Sequence, residues 1–269
     1  MRRSIVFPFM AWKSFLVLLV GLGGGIVASG AELERLSWMV DGVKREALVH
    51  VPDHRGAGGV PLVFGFHGHG GSASQASRSF RLHEVWPGAL VVYPQGLPTV
   101  GQLTDPAGAR AGWQGYAGSE HDRDLRFFDV MLADLKQRHH IDAKRIYATG
   151  HSNGGGFTYL LWAERGDIFA AFAPSAAVLA RGYPKFVPRP VLHLGSPRDP
   201  LVKWEWQEKM IDHDLQVDGA GPRRAGDGLI IYSSPQGAEV ATYLHHGGHR
   251  YPAEAPEIIV KFFQAHALP

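Results

Sequence analysis

Cysteine is absent from this 269-residue sequence. Without cysteine the chain forms no disulfide bond, offers no thiolate ligand to a metal, and lacks the residue that carries the lipid of a lipoprotein. A chain of this length buries enough apolar surface to be stable without such cross-links. We therefore expect a domain whose stability depends on its hydrophobic core.

A basic surface is also missing once the N-terminal segment is set aside. The whole chain has 27 Lys and Arg against 25 Asp and Glu, but Arg2, Arg3 and Lys13 lie in the first 31 residues, which contain no acidic residue. The remainder has 24 basic and 25 acidic residues, a net charge of −1. With no basic stripe in this remainder, we expect no nucleic-acid partner.

The apolar run Ser14–Val27 is shorter than the roughly 20 residues that a membrane-spanning helix needs. Positively charged residues precede this run, and the small residues Ala28–Ala31 follow it. That order is typical of an export signal, although an uncleaved anchor helix is the alternative. We predict a signal peptide over residues 1–31 and a domain over residues 32–269. The mature protein is then periplasmic or extracellular, without stable membrane association.

Short apolar runs alternate with helical patterns along the rest of the chain. Most of the runs are brief and end at turn residues, as buried strands of a parallel sheet do. The predicted strands are Glu46–Val51, Val60–Phe66, Ala89–Tyr93, Arg145–Thr149, Val191–Leu194, Leu229–Tyr232 and Val240–Leu244. Strands alternating with helices indicate a single-domain α/β fold, with a doubly wound, mostly parallel sheet flanked by helices.

Helices are predicted between these strands. The first is expected to begin at Asp124 as its cap. Its apolar side chains recur at the spacing of one buried stripe, namely Leu125, Phe128, Leu132 and Leu135. The other predicted helices are Asn153–Glu164, Trp204–Ile211 and Ala255–Ala267. Residues Pro98–Glu120 show no period, and we expect them to form a long surface loop over the site end of the sheet.

The segment GHSNG, residues 150–154, matches the G-x-S-x-G pattern of a nucleophile elbow. A predicted strand precedes the segment and a predicted helix follows it, as that turn requires. The serine of such a turn sits in a strained backbone conformation, so the residues two positions away must lack bulk. The turn exposes the hydroxyl at a helix N-terminus, where backbone N–H groups favour developing negative charge. We predict Ser152 as a catalytic nucleophile.

A serine nucleophile needs a general base and an acid that orients the base, and in this type of fold they follow the serine in the order acid, then histidine. Asp199 comes just after the strand Val191–Leu194. Asp212, Asp214 and Asp218 lie within or just after a predicted helix, where surface carboxylates are expected. Position at a strand end therefore favours Asp199 as the acid.

Several histidines follow Ser152, and His249 fits the base best. It lies in a loop after the strand Val240–Leu244, behind two glycines that let the loop reach back over the serine. His245 and His246 are nearer the strand end, and His193 lies inside a strand as a core histidine would. His266 falls in the last helix. Loop position and chain order favour His249.

An oxyanion hole in this fold takes one backbone N–H from the residue after the nucleophile and one from a loop after an earlier strand. Asn153 supplies the first donor. The segment HGHGG, residues 67–71, follows the strand Val60–Phe66 and supplies the second. We assign this second donor to the His69 backbone, with Gly68 as the alternative.

Fifteen histidines raise the possibility of a metallohydrolase. The strongest candidate ligands are the pairs His67 with His69 and His245 with His246. No acidic residue follows the first pair in ligand register, and the H-E-x-x-H pattern is absent. We therefore expect neither a catalytic metal nor another cofactor.

At these residues the chain resembles the secreted esterase family of polyhydroxybutyrate depolymerases and feruloyl or acetylxylan esterases. The resemblance spans nearly all of the predicted mature chain. The residues that carry it are His67-Gly68, Tyr93-Pro94-Gln95-Gly96, Gly112-Trp113, Asp124, Ile141-Asp142, Arg145-Ile146-Tyr147, residues 150–155, Phe169-Ala170-Ala171, Asp199-Pro200 and Gly248-His249. The resemblance implies an α/β-hydrolase fold with a Ser152–His249–Asp199 triad and no metal.

The chain also departs from that family. Relatives often carry a cysteine just after His-Gly, where this sequence has His69. Extracellular polymer-degrading members continue into a linker and a substrate-binding module, whereas this sequence ends one predicted helix after His249. These departures favour soluble esters or oligomers over insoluble polyester.

The sequence thus predicts a secreted serine esterase that forms an acyl-enzyme on Ser152. Trp113, in the loop over the site, either contacts an aromatic or sugar part of the substrate or anchors the loop by packing. A serine peptidase on the same scaffold is one alternative, although such enzymes usually add a large second domain. A non-catalytic exported binding protein is another, although no member of the triad is missing. The oligomeric state is left open.

Overall fold

The computed structural model describes residues 33–53, 58–181, 186–226 and 228–269. The predicted signal peptide, residues 1–31, lies outside these residues. The strands are β1 (Glu34–Val40), β2 (Val43–His50), β3 (Val60–Phe66), β4 (Leu90–Pro94), β5 (Leu97–Pro98), β6 (Ala111–Gly112), β7 (Ile141–His151), β8 (Ala171–Ser175), β9 (Val191–Gly195), β10 (Arg223–Gly226), β11 (Leu229–Tyr232) and β12 (Val240–Leu244). The helices are α1 (Ala73–Phe80), α2 (Leu82–Val85), α3 (Arg123–Arg138), α4 (Asn153–Arg165), α5 (Trp204–Val217) and α6 (Ala255–Gln264).

The main sheet has the strand order β1-β2-β4-β3-β7-β8-β9-β12-β11-β10. Its central strands, from β4 to β12, pair in parallel. The strands at both edges are antiparallel, with β1 and β2 on one side and β11 and β10 on the other. This confirms the predicted mostly parallel sheet. Parallel pairing brings the carboxyl ends of β3, β7, β9 and β12 to one edge, where the predicted site residues follow.

Helices cover both faces of the sheet, because the buried central strands are apolar on both sides. Neighbouring residues of β3 alternate between the two faces, with Phe64 in one core cluster and Val63 in the other. Helices α3, α4 and α5 contribute to the first cluster. Helices α1, α2 and α6 contribute to the second. The sheet is therefore doubly wound, as predicted.

Some elements were not predicted from the sequence. Strand β8 contains small residues and a proline, and it is buried between β7 and β9, where tertiary pairing outweighs its weak strand propensity. Helix α1 is mostly polar, and Ser72 caps it by accepting a hydrogen bond from the Gln75 N–H at 3.1 Å. The predicted loop Pro98–Glu120 is partly ordered by the short antiparallel pair β5 and β6.

The prediction that Asp124 caps a helix is wrong. Helix α3 begins one residue earlier, at Arg123, and the Asp124 side chain is buried in its first turn. There Asp124 pairs with the Arg45 guanidinium at 2.7 Å and accepts the Gln114 N–H at 2.8 Å. The side chain of Gln114 takes over the capping role, because its Oε1 accepts the N–H groups of Asp124 and Leu125.

Replacing Asp124 with alanine is expected to lower the free energy of unfolding by about 3–5 kcal/mol, because it leaves the Arg45 guanidinium buried without its partner charge. Urea denaturation followed by circular dichroism measures this change. Glu257→Ala is the control, since Glu257 pairs with Arg81 in a half-exposed ion pair at 3.3 Å. That variant is expected to lose less than about 1 kcal/mol. Equal losses in the two variants would contradict the assigned role of the buried pair.

Candidate active site

Ser152 lies between a strand and a helix, because β7 ends at His151 and α4 begins at Asn153. Its backbone angles are φ 56° and ψ −121°, a conformation that residues with a side chain rarely adopt. The flanking glycines are required by close contacts. A Cβ atom on Gly150 would lie 2.3 Å from the Gly154 carbonyl oxygen, and one on Gly154 would lie 2.1 Å from the Phe66 carbonyl oxygen. The segment is therefore a strained strand-to-helix turn of the nucleophile-elbow type.

The structure brings Ser152, His249 and Asp199 together. His249 Nε2 lies 2.8 Å from Ser152 Oγ, and His249 Nδ1 lies 2.8 Å from Asp199 Oδ2. Because a carboxylate only accepts, Nδ1 carries the imidazole hydrogen and Nε2 is free to accept the serine proton. The other Asp199 oxygen accepts the N–H groups of Leu201 at 2.8 Å and Val202 at 3.0 Å. This arrangement is that of a nucleophile, a base and an orienting acid.

The rival residues lie elsewhere. Asp212 is exposed on α5, but the expectation that Asp214 and Asp218 are surface carboxylates is wrong, since both side chains are buried. Burial raises the pKa of Asp214 to about 6 and that of Asp218 to about 8. His193 is buried in β9, as a core histidine would be. None of these residues is hydrogen-bonded to Ser152 or His249 among the described contacts.

The raised pKa of Asp218 predicts a stability that falls as the pH rises. An aspartate in the unfolded chain ionises near pH 3.9, whereas Asp218 in the folded protein keeps its proton up to about pH 8. The folded state therefore binds more protons in this window, and the unfolding free energy declines through it. Asp218→Asn should flatten that decline, because the amide does not ionise and still accepts the Arg189 N–H.

Urea unfolding at a series of pH values measures this dependence. Asp212→Asn is the matched control, because it removes an exposed aspartate of the preceding helix and should leave the pH dependence unchanged. A profile of Asp218→Asn that runs parallel to the wild-type profile would show that Asp218 does not carry the buried proton.

The predicted oxyanion donors lie beside Ser152. Asn153 is the first residue of α4, and its side chain clamps the loop over the site by two hydrogen bonds to the Trp113 backbone, at 2.7 and 3.0 Å. The loop after β3 approaches from the other side. A Cβ atom on Gly68 would lie 3.6 Å from Ser152 Cβ, which places that backbone against the nucleophile. His69 lines the same cavity as Ser152. The second donor therefore remains a choice between His69 and Gly68.

Trp113 borders the cavity but exposes only 1% of its surface. Its indole N–H donates to the His67 carbonyl at 2.9 Å, and its ring packs on Phe66 and Phe157. These contacts correspond to the second of the two roles predicted for Trp113, in which it anchors the loop by packing and does not contact the substrate. Two aromatic residues that the sequence analysis did not single out, Tyr116 and Trp206, are half-buried and line the same cavity.

The histidines after β3 have partners within the protein. His67 lies 2.8 Å from the Gly68 carbonyl through Nδ1 and accepts the Gly96 N–H through Nε2 at 3.0 Å. His69 Nε2 lies 3.1 Å from Asp105 Oδ2, so it ties the loop over the site to the loop after β3. Among the described residues, no group of three or more His, Asp or Glu side chains has an arrangement suited to a metal ion.

His151 is a neighbour of the site that sequence analysis left without a role. Its ring lies 5.1 Å from that of His249, and its Nδ1 lies 3.2 Å from the Ser175 hydroxyl. Burial, and secondarily the charge of His249, lower the pKa of His151 to about 4. His151 therefore stays neutral near neutral pH and adds no charge next to the imidazole of His249.

Two cavities open on either side of Ser152, with volumes of about 690 and 600 Å³. Both are bordered by Ser152, His249 and Leu201. The larger one is bounded by the loop over the site and by α5. The smaller one is bounded by the loops after β3 and β12. A bond held at Ser152 can therefore place one of its two substituents in each cavity.

No helix in the described part of the chain is long and apolar enough to cross a membrane.

Sequence comparison finds similarity to known esterases. The chain is 27% identical over 236 residues to a probable feruloyl esterase C of Aspergillus oryzae, a match that covers 82% of this chain and 84% of that protein. It is 26% identical over 170 residues to a bifunctional acetylxylan esterase/xylanase of Neocallimastix patriciarum, covering 62% of this chain and only 23% of that protein. The sequence profile of the prolyl oligopeptidase family matches residues 117–182, which include the turn at Ser152.

Structural comparison identifies the fold. An acetyl xylan esterase from Aspergillus awamori superposes with a TM-score of 0.65 at 12% identity, covering 87% of this chain and 99% of that one. At this identity the match shows the fold alone. Together the findings confirm the α/β-hydrolase fold and the resemblance to feruloyl and acetylxylan esterases.

Proposed function

We propose that this α/β-hydrolase is a carboxylic-ester hydrolase that acts through an acyl-enzyme on Ser152. The observation that carries the proposal is the unbroken hydrogen-bond path from Ser152 Oγ through His249 to Asp199, built on a strained turn. The similarity to feruloyl and acetylxylan esterases supports an ester as the substrate.

In the first step, His249 Nε2 takes the hydroxyl proton as Ser152 Oγ forms a bond to the ester carbonyl carbon. The carbonyl oxygen becomes an oxyanion, which the backbone N–H groups of Asn153 and of His69 or Gly68 stabilise. Asp199 keeps the imidazole in the required tautomer and stabilises its positive charge. The carbon–oxygen bond of the ester then breaks, and the alcohol leaves with the proton from His249.

In the second step, water attacks the acyl group while His249 takes one of its protons. The bond to Ser152 Oγ breaks, the serine regains its proton from His249, and the carboxylic acid leaves. The same three side chains and the same N–H groups serve both steps, and no metal or cofactor takes part.

Soluble esters or short oligomers are the proposed substrates. The cavities on the two sides of Ser152 have the volume of drug-sized ligands, so they suit an acyl part and an alcohol part of moderate size. Tyr116 and Trp206 offer aromatic faces in the larger cavity. Hydroxybutyrate oligomers, feruloyl esters and acetylated xylan are the classes to compare. The N-terminal export pattern supports action in the periplasm or outside the cell.

A serine peptidase is the second candidate, because the prolyl oligopeptidase profile matches residues 117–182. That match covers the turn that serine esterases and serine peptidases of this fold share, so it does not distinguish the two chemistries. A non-catalytic binding protein is disfavoured by the intact hydrogen-bond path from Ser152 to Asp199.

Hydrolysis of p-nitrophenyl acetate and of peptide anilides by the purified protein and by Ser152→Ala tests the proposal. We expect the unchanged protein to cleave the ester and Ser152→Ala to lose the activity. Equal turnover by both proteins, or no turnover by the unchanged one, would refute the esterase assignment. Anilide cleavage that exceeds ester cleavage would favour the peptidase instead.

Asp199→Asn is expected to lower kcat by roughly 10³–10⁴-fold with little effect on folding, because the amide presents the wrong hydrogen-bond partner to His249 Nδ1. Steady-state kinetics with p-nitrophenyl acetate and thermal melting measure the two effects. Asp212→Asn, on the exposed face of α5, is the control and should keep the wild-type rate. A near-normal rate for Asp199→Asn would place the orienting acid elsewhere.

A panel of methyl ferulate, acetylated xylan and hydroxybutyrate oligomers, compared by kcat/KM, identifies the substrate class. Preference for the ferulate is expected to fall in Trp206→Ala if the aromatic face in the larger cavity binds the acyl ring.

A further inference from the structure

A buried chain of polar side chains continues beyond Asp199, away from Ser152. Gln207 on α5 donates from its Nε2 to the Val202 carbonyl at 2.6 Å and to Asp199 Oδ2 at 3.3 Å. Its other amide atom, Oε1, lies 3.3 Å from His193 Nε2. Gln207 is fully buried, so its amide has no solvent to replace these partners.

The orientation of the Gln207 amide is fixed by its neighbours. The Val202 carbonyl and the Asp199 carboxylate only accept hydrogen bonds, so the amide nitrogen must face both of them. The amide oxygen must then face His193, and a hydrogen on His193 Nε2 is required to bond it. The amide is also closely packed, because a Cβ atom on Gly195 would lie 2.6 Å from Gln207 Oε1.

This requirement sets the tautomer of His193. Burial lowers the pKa of His193 to about 4, so the ring is neutral near neutral pH and carries a single hydrogen. With that hydrogen on Nε2, the Nδ1 atom is an acceptor. Tyr159 lies 2.8 Å from Nδ1 and must donate its hydroxyl hydrogen there.

The hydroxyl of Tyr159 has only one hydrogen to donate. Its oxygen also lies 2.8 Å from Asp214 Oδ2. If that hydrogen points to His193, the second contact needs a hydrogen from Asp214. The carboxyl group of Asp214 must then be protonated. This follows from counting hydrogens along the chain with the ring of His193 neutral.

We propose that Gln207 is a positioning residue for Asp199, and that a proton held on Asp214 sets the direction of every hydrogen bond between them. The order runs from Asp214 to Tyr159, to His193, to Gln207 and finally to the Asp199 carboxylate. Each group donates to the next. The proposal rests on the proposed function, because it explains how the acid that orients His249 is itself held.

The surroundings of Asp214 favour the protonated carboxyl below about pH 6. The group is completely buried, and burial raises its pKa to about 6. The nearby His213 ring and the Tyr159 hydroxyl favour the ionised form and act against this rise, and the contribution of Tyr159 disappears when its hydrogen points to His193.

Charged groups around Asp214 come from several elements. His213 precedes it on α5, with Nδ1 3.9 Å from Asp214 Oδ1. The buried carboxyl of Asp218 lies close enough for the two acids to repel each other when both are ionised, and Arg189 contributes the opposing positive charge at Asp218. Tyr159 approaches from α4. Ionisation of Asp214 would draw the Tyr159 hydrogen away from His193 and break the order of the chain.

The first measurement is independent of catalysis. We expect the NMR spectrum of protein labelled with 15N-histidine to show His193 protonated on Nε2 and unprotonated on Nδ1 at about pH 5, between the pKa of His193 (about 4) and that of Asp214 (about 6), with the signals assigned by their loss in His193→Asn. Asp214→Asn is expected to keep this tautomer, because its amide nitrogen donates to Tyr159 as the protonated carboxyl does. A hydrogen on Nδ1, or on both nitrogens, would overturn the proposed order.

The second measurement is kinetic. Gln207→Met keeps the length of the side chain but removes its donors, and we expect kcat for p-nitrophenyl acetate to fall roughly ten- to hundredfold with KM unchanged, since a hydrogen bond to a charged group is lost. Asp214→Asn is expected to keep the wild-type value of kcat. As the pH rises, kcat of this variant should decline at a higher pH than kcat of the wild-type protein. Gln216→Met and Asp212→Asn, both exposed on α5, are the matched controls.

Unchanged kcat in Gln207→Met would show that Gln207 does not position Asp199. A large loss of kcat in folded Asp214→Asn would show that the ionised carboxylate is the working form. Where thermal melting shows that Gln207→Met is unfolded, Tyr159→Phe tests the link to Asp214 instead, because it removes the hydroxyl between Asp214 and His193. A pH dependence of kcat unchanged from that of the wild-type protein would contradict the proposed order. Absence of ester turnover by the wild-type protein refutes the proposed function, and the NMR result then decides the order of the chain on its own.

Discussion

The close approach of Gly154 to the backbone of β3 is the constraint on which the site depends. A Cβ atom at this position would lie 2.1 Å from the Phe66 carbonyl oxygen, far inside van der Waals contact, so only glycine lets α4 begin directly after β7. That short connection forces Ser152 into its strained conformation and pushes its hydroxyl out at the N-terminus of the helix. Packing between a helix and a neighbouring strand thus creates the exposed nucleophile.

The parallel sheet supplies the partners of Ser152. Strands β7, β9 and β12 end at the same edge, and the loops that follow them carry Ser152, Asp199 and His249. Because these loops are anchored to strands that lie within four successive positions of the sheet, the three side chains meet although 97 residues separate Ser152 from His249. The loop over the site is held in a different way. Asn153 ties it to α4, which follows the nucleophile, and the His69–Asp105 pair ties it to the loop after β3.

Buried polar groups distinguish this domain from a simple apolar core. Arg45 and Asp124 form an ion pair beneath the loop over the site. A series of hydrogen-bonded side chains runs from Asp214 to Asp199, on the side of Asp199 away from Ser152. A buried polar group is costly unless it has a partner, so such groups fix a single arrangement of the elements that contribute them. Helix α5 therefore does more than pack on the sheet. Its Gln207 and Asp214 belong to the buried hydrogen-bonded side chains that reach Asp199, the acid beside His249.

The sequence by itself determined the alternation of strands and helices, the strained turn at Ser152 and the chain order of acid and base, because these are written in local spacing and in the placement of glycine. It could not show that Asp214 and Asp218 are buried, that Gln114 rather than Asp124 caps α3, or that Trp113 is packed as an anchor. Those outcomes were decided by the tertiary structure. A side chain on a helix is buried or exposed according to which face meets a distant element, and hydrogen-bond partners such as Gln207 and His193 become neighbours only when α5 packs against β9.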